Sequence, residues 1–327
     1  MILTRSPLRI SLGGGGTDLP SYSSLSGGFV ISAAINKYVY VAVNRPFAPG
    51  ISLKYSSIEN LESVDDIAHP IIREALNLFN LKTPQIEIST VADIPSGTGL
   101  GSSGSFTTAL LKALYTHYKS PIHANKVAEI ACEIELDKLK EPIGKQDQYI
   151  ASYGGIAGMS FNADGTVNVD PLRISPSTIF DLEDNLLLFF TGKIRSASSM
   201  LLDQHTKSLN HDTKMRMNLD QIKEIGIQIG AALEGNNPRL FGSLMDEHWN
   251  LKRNRTSGMT NDDIDDWYGI GRANGALGGK LVGAGGGGFL MFYAEDAQLL
   301  RKAMSKIGLE ELRFKFDFEG TKVVLSQ

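Results

Sequence analysis

Glycine is unevenly distributed in this chain. Sixteen of its 34 glycines fall in three places, residues 13–16, 97–104 and 275–288. Glycine reaches positive φ and lets a backbone approach a ligand closely, at an entropic cost to folding. One such cluster reads equally well as a tight turn between strands. Three clusters, with little low-complexity sequence elsewhere, point to three loops gathered around a polar ligand.

Composition limits what that ligand can be. A chain of 327 residues is one large domain or two of ordinary size, and 42% hydrophobic with 21% charged residues supplies ample core. A net charge of -4 argues against a general nucleic-acid or anionic-membrane surface, while leaving room for a local basic pocket. Cys132 is the sole cysteine, which excludes an intramolecular disulfide framework and a multi-cysteine zinc site. No run approaches the ~18 apolar residues of a membrane span, and the opening Met1-Ile2-Leu3-Thr4-Arg5 lacks a signal-peptide layout. A cytoplasmic protein, monomeric or homodimeric, without nucleic-acid or membrane partners, is the expectation.

Hydrophobic periodicity alternates between strand and helix. Residues 29–43, 85–91 and 155–161 read as strands, and residues 105–118 and 126–138 carry helical spacing. The second half is richer in helix, at 214–233, 238–252 and 262–277, with Pro238 at a first turn and Thr260-Asn261 as capping candidates. Residues 289–293, 312–316 and 323–325 read as further strands. The polar segment 173–177 marks a division into residues 1–176 and 177–327. The chain is an α+β protein in two lobes.

The middle cluster, Pro95-Ser96-Gly97-Thr98-Gly99-Leu100-Gly101-Ser102-Ser103-Gly104, lies between a strand and a helix. Unpaired N–H groups and the positive dipole end at such a helix mouth favour an anion. Its two serines can cap the helix or ligate a phosphate-bound Mg²⁺. The segment formally matches a dinucleotide fingerprint, but Pro95 and Ser96 separate the glycines from the strand. The first acid after Gly104 is Glu129, within a later helix, so the ribose-binding acid is missing. A Walker A loop fails as well, since Asn274 and Leu281 stand where Gly and Ser/Thr are needed around Lys280.

These residues closely resemble the phosphate loop of the GHMP kinases, the family of galactokinase and of homoserine, mevalonate and phosphomevalonate kinases. Residues 6–18, ending in Gly13-Gly14-Gly15-Gly16-Thr17-Asp18, look like that family's first motif, and residues 279–289 like its third. Three motifs in order span nearly the whole chain. The resemblance implies a two-lobed fold, with a ribosomal protein S5 domain 2-like N-terminal lobe and a ferredoxin-like C-terminal lobe. An active site would lie in the cleft between them, with ATP and Mg²⁺ as cosubstrates. Residues 9–22 and Pro142-Ile143-Gly144-Lys145-Gln146-Asp147-Gln148-Tyr149 resemble the D-glycero-D-manno-heptose 7-phosphate kinases in particular, with fucokinase a close second.

What the resemblance implies can be taken residue by residue. Asp147 matches the acid of a Pro-x-Gly-x-x-Asp segment found in galactokinases, and a carboxylate can accept or orient an acceptor's hydroxyl proton; a helix cap is its plainer reading. Arg9 matches the first-motif arginine and can steady Asp147 or offset charge on the moving phosphoryl group. Pro95, Gly97, Thr98, Gly99, Leu100, Gly101, Ser102, Ser103 and Gly104 would hold the ATP phosphates. Ser103 and Glu135 are the implied Mg²⁺ ligands; periodicity alone does not separate Glu135 from Glu133. Gly14, Gly15, Thr17, Asp18, Gly285, Gly286 and Gly287 would line the sugar site. Arg195 in Lys193-Ile194-Arg195-Ser196 could grip a substrate phosphate, and the run Lys252-Arg253-Asn254-Arg255 is the alternative. Solvated surface is the plainer reading of both runs. His248 beside Trp249 reads as packing, and residues 54–62 are the choice for the adenine pocket.

The expected activity is ATP-dependent phosphorylation of the anomeric oxygen of a heptose 7-phosphate, in the making of nucleotide-activated heptose for surface polysaccharide. A kinase of a free sugar such as fucose, a silent sugar and ATP sensor, and a decarboxylase on the same fold are the alternatives.

Overall fold

The computed structural model describes residues 1–80, 84–194, 197–209, 212–256 and 258–327. Among the described residues, twelve strands form two sheets. The first sheet contains β1 (Ile2–Gly13), β2 (Gly28–Asn44), β3 (Ile51–Lys54), β4 (Ile58–Leu61), β5 (Ile86–Ala92), β6 (Ile156–Phe161) and β7 (Val167–Pro171). The second contains β8 (Leu186–Phe190), β9 (Ala276–Leu281), β10 (Phe289–Ala294) and β11 (Glu310–Leu312). The last strand, β12 (Lys322–Ser326), returns to pair with β1, so the C-terminal strand belongs to the first sheet.

The first sheet runs β12-β1-β2-β5-β3-β4, with β6 and β7 attached through β2. β2 is rich in β-branched residues and long enough to serve two partners, pairing β6 through its first half and β5 through its second. The second sheet has the order β11-β8-β10-β9 and is antiparallel throughout. Counted within that lobe its strands run 4-1-3-2, the ferredoxin-like order the resemblance implied.

The helices are α1 (Pro20–Ser26), α2 (Pro70–Asn77), α3 (Ser102–His117), α4 (Ala124–Cys132), α5 (Gln146–Tyr153), α6 (Pro176–Asn185), α7 (Ala197–Leu209), α8 (Thr213–Glu234), α9 (Pro238–Arg253), α10 (Asp262–Ala273) and α11 (Ala297–Lys306). The caps follow local chemistry. Asn237 accepts from Leu240 N with Pro238 in the first turn of α9, and Asn261 accepts from Ile264 N at the start of α10. Between the lobes, Ile225, Ile229 and Leu233 recur at helical spacing on α8 and share one buried cluster with Ile10, Leu12 and Ile31 of the first sheet. Met291 and Phe289 of the second sheet belong to the same cluster, which ties the lobes together. Each such buried side chain contributes roughly 1.5–3 kcal/mol.

Three expected elements differ. The helix expected over 262–277 ends at Ala273, because Gly275 sits at φ +95 and the chain turns into strand β9. The helix expected over 126–138 changes winding: α4 gives way to a π-helix over Glu133–Lys138, where Leu139 N donates to Ile134 O. The strand expected over 312–316 is only β11, ending at Leu312, with Phe316 bridging Ile35 in the other sheet. Helix α6 begins inside the polar boundary segment, with Ser175 accepting from Thr178 N and Pro176 in its first turn.

Candidate active site

The three glycine clusters converge on one cavity of about 490 Å³. Its wall draws on β1 and the loop after it, the loop before α3, the π-helix, the start of α5, the end of α9, β9 and the loop after β9. At its centre Arg9 on β1 meets Asp147 in the first turn of α5. The guanidinium donates from Nε to Oδ1 at 2.7 Å and from Nη2 to Oδ2 at 2.8 Å, while Nη1 donates to Gly99 O. Arg9 N also donates to Leu100 O at 2.9 Å, so one residue ties β1 to the glycine loop and to α5. Asp147 is therefore an ion-paired wall residue and no helix cap; α5 has no side-chain cap.

Gly101 makes this approach feasible. It lies at φ +75, and a Cβ there would sit 3.0 Å from Arg9 Cγ and 3.1 Å from Asp147 Oδ2. Gly101 also precedes α3, whose N-terminus has no side-chain cap. Ser102 and Ser103 of its first turn line the cavity, and the N–H groups of an uncapped helix start suit an anion. The third cluster locks onto this loop backbone to backbone: a Cβ on Gly283 would stand 2.5 Å from Gly99 O.

Ser103 and Glu135 come together as the resemblance implied. Ser103 Oγ donates to Glu135 Oε2, and Gln148 Nε2 donates to Oε1 at 3.0 Å. Glu135 is buried, and burial followed by the charge of Asp147 pushes its carboxyl above the ordinary range. Glu133 is exposed and pairs loosely with Lys138. Asp18 is also fully buried in the wall, accepting from Gly16 N at 3.1 Å and from Gln146 N at 3.2 Å. Burial and the nearby Asp147 raise its carboxyl.

The remaining site residues divide by position. From the phosphate loop, Gly97, Gly99, Gly101, Ser102 and Ser103 line the cavity together with Ser96. Pro95, Thr98, Leu100 and Gly104 stand behind it: Thr98 Oγ1 donates to Pro95 O, Leu100 is in the core, and Gly104 packs on Asp147 Cβ. From the first cluster, Gly15 and Asp18 are in the wall, whereas Gly14 backs onto Phe29. Thr17 is buried behind the wall: its hydroxyl donates to Gly14 O or Phe29 O and accepts from Phe29 N, so it braces the loop. Gly285 and Gly287 line the cavity, while Gly286 N is taken by Met259 O.

The basic runs are also redistributed. Arg195 lies outside the described residues, and its neighbour Lys193 pairs with Asp263 at 2.5 Å. Lys252 and Arg255, from the run read as the alternative phosphate grip with solvated surface as its plainer reading, are buried wall residues. Residues 54–62 form the β3–β4 hairpin and are absent from the wall, where Pro70 and Ile71 stand instead. Sequence reading passed over Ser11, Gln146, Gln148, Gln204 and Lys280, and took His248 as packing; all six line the cavity. Lys280 alone left a signal, as a single charge within an apolar strand.

Family models for the GHMP kinases match this chain twice, the N-terminal domain model over residues 67–155 and the C-terminal model over residues 229–309. The chain belongs to the GHMP kinases, phosphotransferases that use ATP as cosubstrate. It is 30% identical to a D-glycero-alpha-D-manno-heptose 7-phosphate kinase of Campylobacter jejuni, over 98% of each chain. It is 28% identical over 90% of its length to an L-fucokinase/L-fucose-1-P guanylyltransferase of Bacteroides fragilis, of which it covers 34%. In fold it matches the crystal structure of a D-glycero-D-manno-heptose 1-phosphate kinase from Bacteroides thetaiotaomicron, with TM-score 0.81 and 24% identity over all of both chains. Among the described residues, no helix is long and apolar enough to cross a membrane.

Proposed function

We propose that this protein is an ATP-dependent sugar kinase of the heptose type, phosphorylating the anomeric hydroxyl of D-glycero-D-manno-heptose 7-phosphate to the 1,7-bisphosphate. The observation that carries the reading is the bidentate Arg9–Asp147 pair, set in the cavity wall between an uncapped helix mouth and buried Asp18. The full-length likeness to the Campylobacter jejuni enzyme supports the choice of sugar.

In this reading, the N–H groups at the start of α3 hold the ATP phosphates, and the glycines let the phosphates approach. Arg9 fixes both oxygens of Asp147, so that the carboxylate faces the acceptor in one orientation. The anomeric hydroxyl, more acidic than an ordinary alcohol, gives its proton to Asp147 as its oxygen bonds to the γ-phosphorus. The bond from that phosphorus to the β–γ bridging oxygen breaks, and ADP leaves. Asp18, within reach of the cavity and buried, accepts from sugar hydroxyls.

Ser103 and Glu135 fit a Mg²⁺ site in chemistry, being hard oxygen donors side by side in the wall, and Gln148 Oε1 lies buried beside them without a partner among the described residues. Bound there, Mg²⁺ would neutralise phosphate charge. The lobes 1–176 and 177–327, a cytoplasmic setting, a monomeric or homodimeric state and a role in nucleotide-activated heptose synthesis belong to the same proposal.

The experiment is coupled ADP release from Mg-ATP with D-glycero-D-manno-heptose 7-phosphate beside mannose, fucose, galactose and mevalonate. Clear preference for the heptose phosphate is expected. Turnover of a free sugar instead would keep the kinase and discard the heptose phosphate, and tight ATP binding without turnover would leave an untested substrate or a sensor.

A further inference from the structure

Three buried cations share the cavity wall. Lys252, Lys280 and Arg255 are buried at 5%, 2% and 9% exposure, and all three line the cavity. Among the described residues none of them has a carboxylate within 4.0 Å, and Asp147 is already committed to Arg9. Asp18 is the acid whose charge acts on Arg255.

Among the described residues, their hydrogen bonds and those of neighbouring His248 and Ser11 leave donors to spare. Lys280 Nζ donates to Leu12 O alone, at 3.0 Å, and Lys252 Nζ donates to Leu281 O and Gly283 O at 2.8 and 2.6 Å. An ammonium has three N–H donors, so the two lysines keep three between them. His248 lies one turn before Lys252 on α9, is 1% exposed, and has no partner on either ring nitrogen. Ser11, next to the Leu12 carbonyl that holds Lys280, is 5% exposed with an unpartnered Oγ in the same wall. Arg255 is held in place by Gln204, Asn218 and Gly15 O. Buried cations and donors left unpaired are costly unless a ligand satisfies them.

The geometry points to a subsite for a phosphate monoester carried by the acceptor, built from Lys252, Lys280, His248 and Ser11 and backed by Arg255. Buried cations without carboxylate partners suit a phosphate dianion, whose oxygens accept from the spare N–H and O–H groups. Burial and the neighbouring Arg9 and Arg255 hold Lys280 down at about 7, a penalty that a bound dianion relieves. The subsite rests on the kinase reading and narrows it, because a kinase of unphosphorylated sugars has no use for such a pocket. Arg195 is not needed for it.

The test compares native enzyme with Lys280→Met, Lys252→Met and the milder His248→Gln. Acceptors are D-glycero-D-manno-heptose 7-phosphate and the unphosphorylated heptose. Each lysine replacement is expected to raise KM for the phosphorylated acceptor about 10- to 100-fold, the effect of a lost charged hydrogen bond, and to leave the unphosphorylated one within about three-fold. A fall in kcat that is equal for both acceptors, with KM unmoved, would place these cations on the transferred phosphoryl group and overturn the subsite. Independently of any sugar, inorganic phosphate is titrated by calorimetry into enzyme saturated with Mg²⁺ and a non-hydrolysable ATP analogue. Native protein should bind it, and Lys280→Met at least ten-fold more weakly. No binding, or equal binding by both, refutes the subsite. Lysine-dependent phosphate binding without turnover of either heptose would refute the heptose assignment and leave the subsite standing.

Discussion

Replacing Asp147 by asparagine separates its two roles, as counter-ion and as proton acceptor. The substitution keeps the side chain's shape but removes its charge, and turns one end from an acceptor into a donor facing the guanidinium of Arg9. Arg9 is 6% exposed in its side chain and Asp147 24%, so the pair is buried on one side and wetted on the other. Stripping one partner from a buried pair costs about 3–5 kcal/mol, and the partial exposure of Asp147 places this case near 3. At about 2.1 cal/mol/K of unfolding entropy per residue, a chain of 327 residues would lose about 4–5 °C of Tm if it unfolds as one unit. Loss of a positioned general base lowers turnover about 10²- to 10⁴-fold. Calorimetric Tm and steady-state ADP release at saturating acceptor should therefore fall together, with KM for ATP within about three-fold of native. A Tm drop with near-native kcat would refute the proton-accepting role and leave Asp147 a counter-ion that holds Arg9. An unchanged Tm with lost turnover would refute the energetics assigned to the pair.

Three further outcomes are expected. Glu135→Gln should raise the Mg²⁺ concentration for half-maximal rate at least ten-fold, whereas exposed Glu133→Gln should leave it unchanged; equal effects would end the assignment. Thr17→Val removes the hydroxyl that meets Gly14 O, Phe29 O and Phe29 N, and should cost about 1–3 kcal/mol in urea unfolding with KM for sugar little changed; a selective KM effect would return Thr17 to the sugar site. The stability of the unliganded protein should rise with pH from about 7 toward 10.5. Lys280 is held at about 7 when folded against an ordinary 10.5, so the unfolded chain binds more protons across that window. The groups facing it are Arg9 on β1, Arg255 beyond α9, and Lys252 and His248 on α9, with Asp18 beside Arg255. Urea unfolding from pH 7 to 9.5 should show a shallower rise for Lys280→Met than for native protein, and matching slopes would contradict the burial argument.

Much of the site could be read along the chain because its pieces are local. An uncapped glycine turn feeding a helix makes an anion-binding mouth whatever surrounds it, and asparagine at 237 or 261 caps its helix through its own neighbours. The three motifs, with Arg9 and Ser103 among them, were legible for the same reason: each is a short pattern recognisable by itself, whereas Asp147 and Glu135 came only with the family resemblance.

What tertiary structure decided was which polar groups lie inside and what satisfies them. Glu133 and Glu135 are equivalent on a regular helical wheel; a change to π-winding and the placement of Gln148 turn Glu135 alone into the cavity. Thr17 and Asp18 are neighbours in one turn, yet the first is consumed by Phe29 and the second faces the site. Lys252 lay in a run whose plainer reading was surface, because charge on a short segment is normally solvated, and Lys280 was met only in a failed Walker A loop and the third motif. Lys280 instead reaches a carbonyl 268 residues away in sequence, and Arg9 reaches a carboxylate 138 away. Helix mouths, caps and turns are set by energies between near neighbours, so sequence alone determines them. Burial of a charge depends on backbone carbonyls and counter-charges delivered by distant segments, and only the folded chain brings those together.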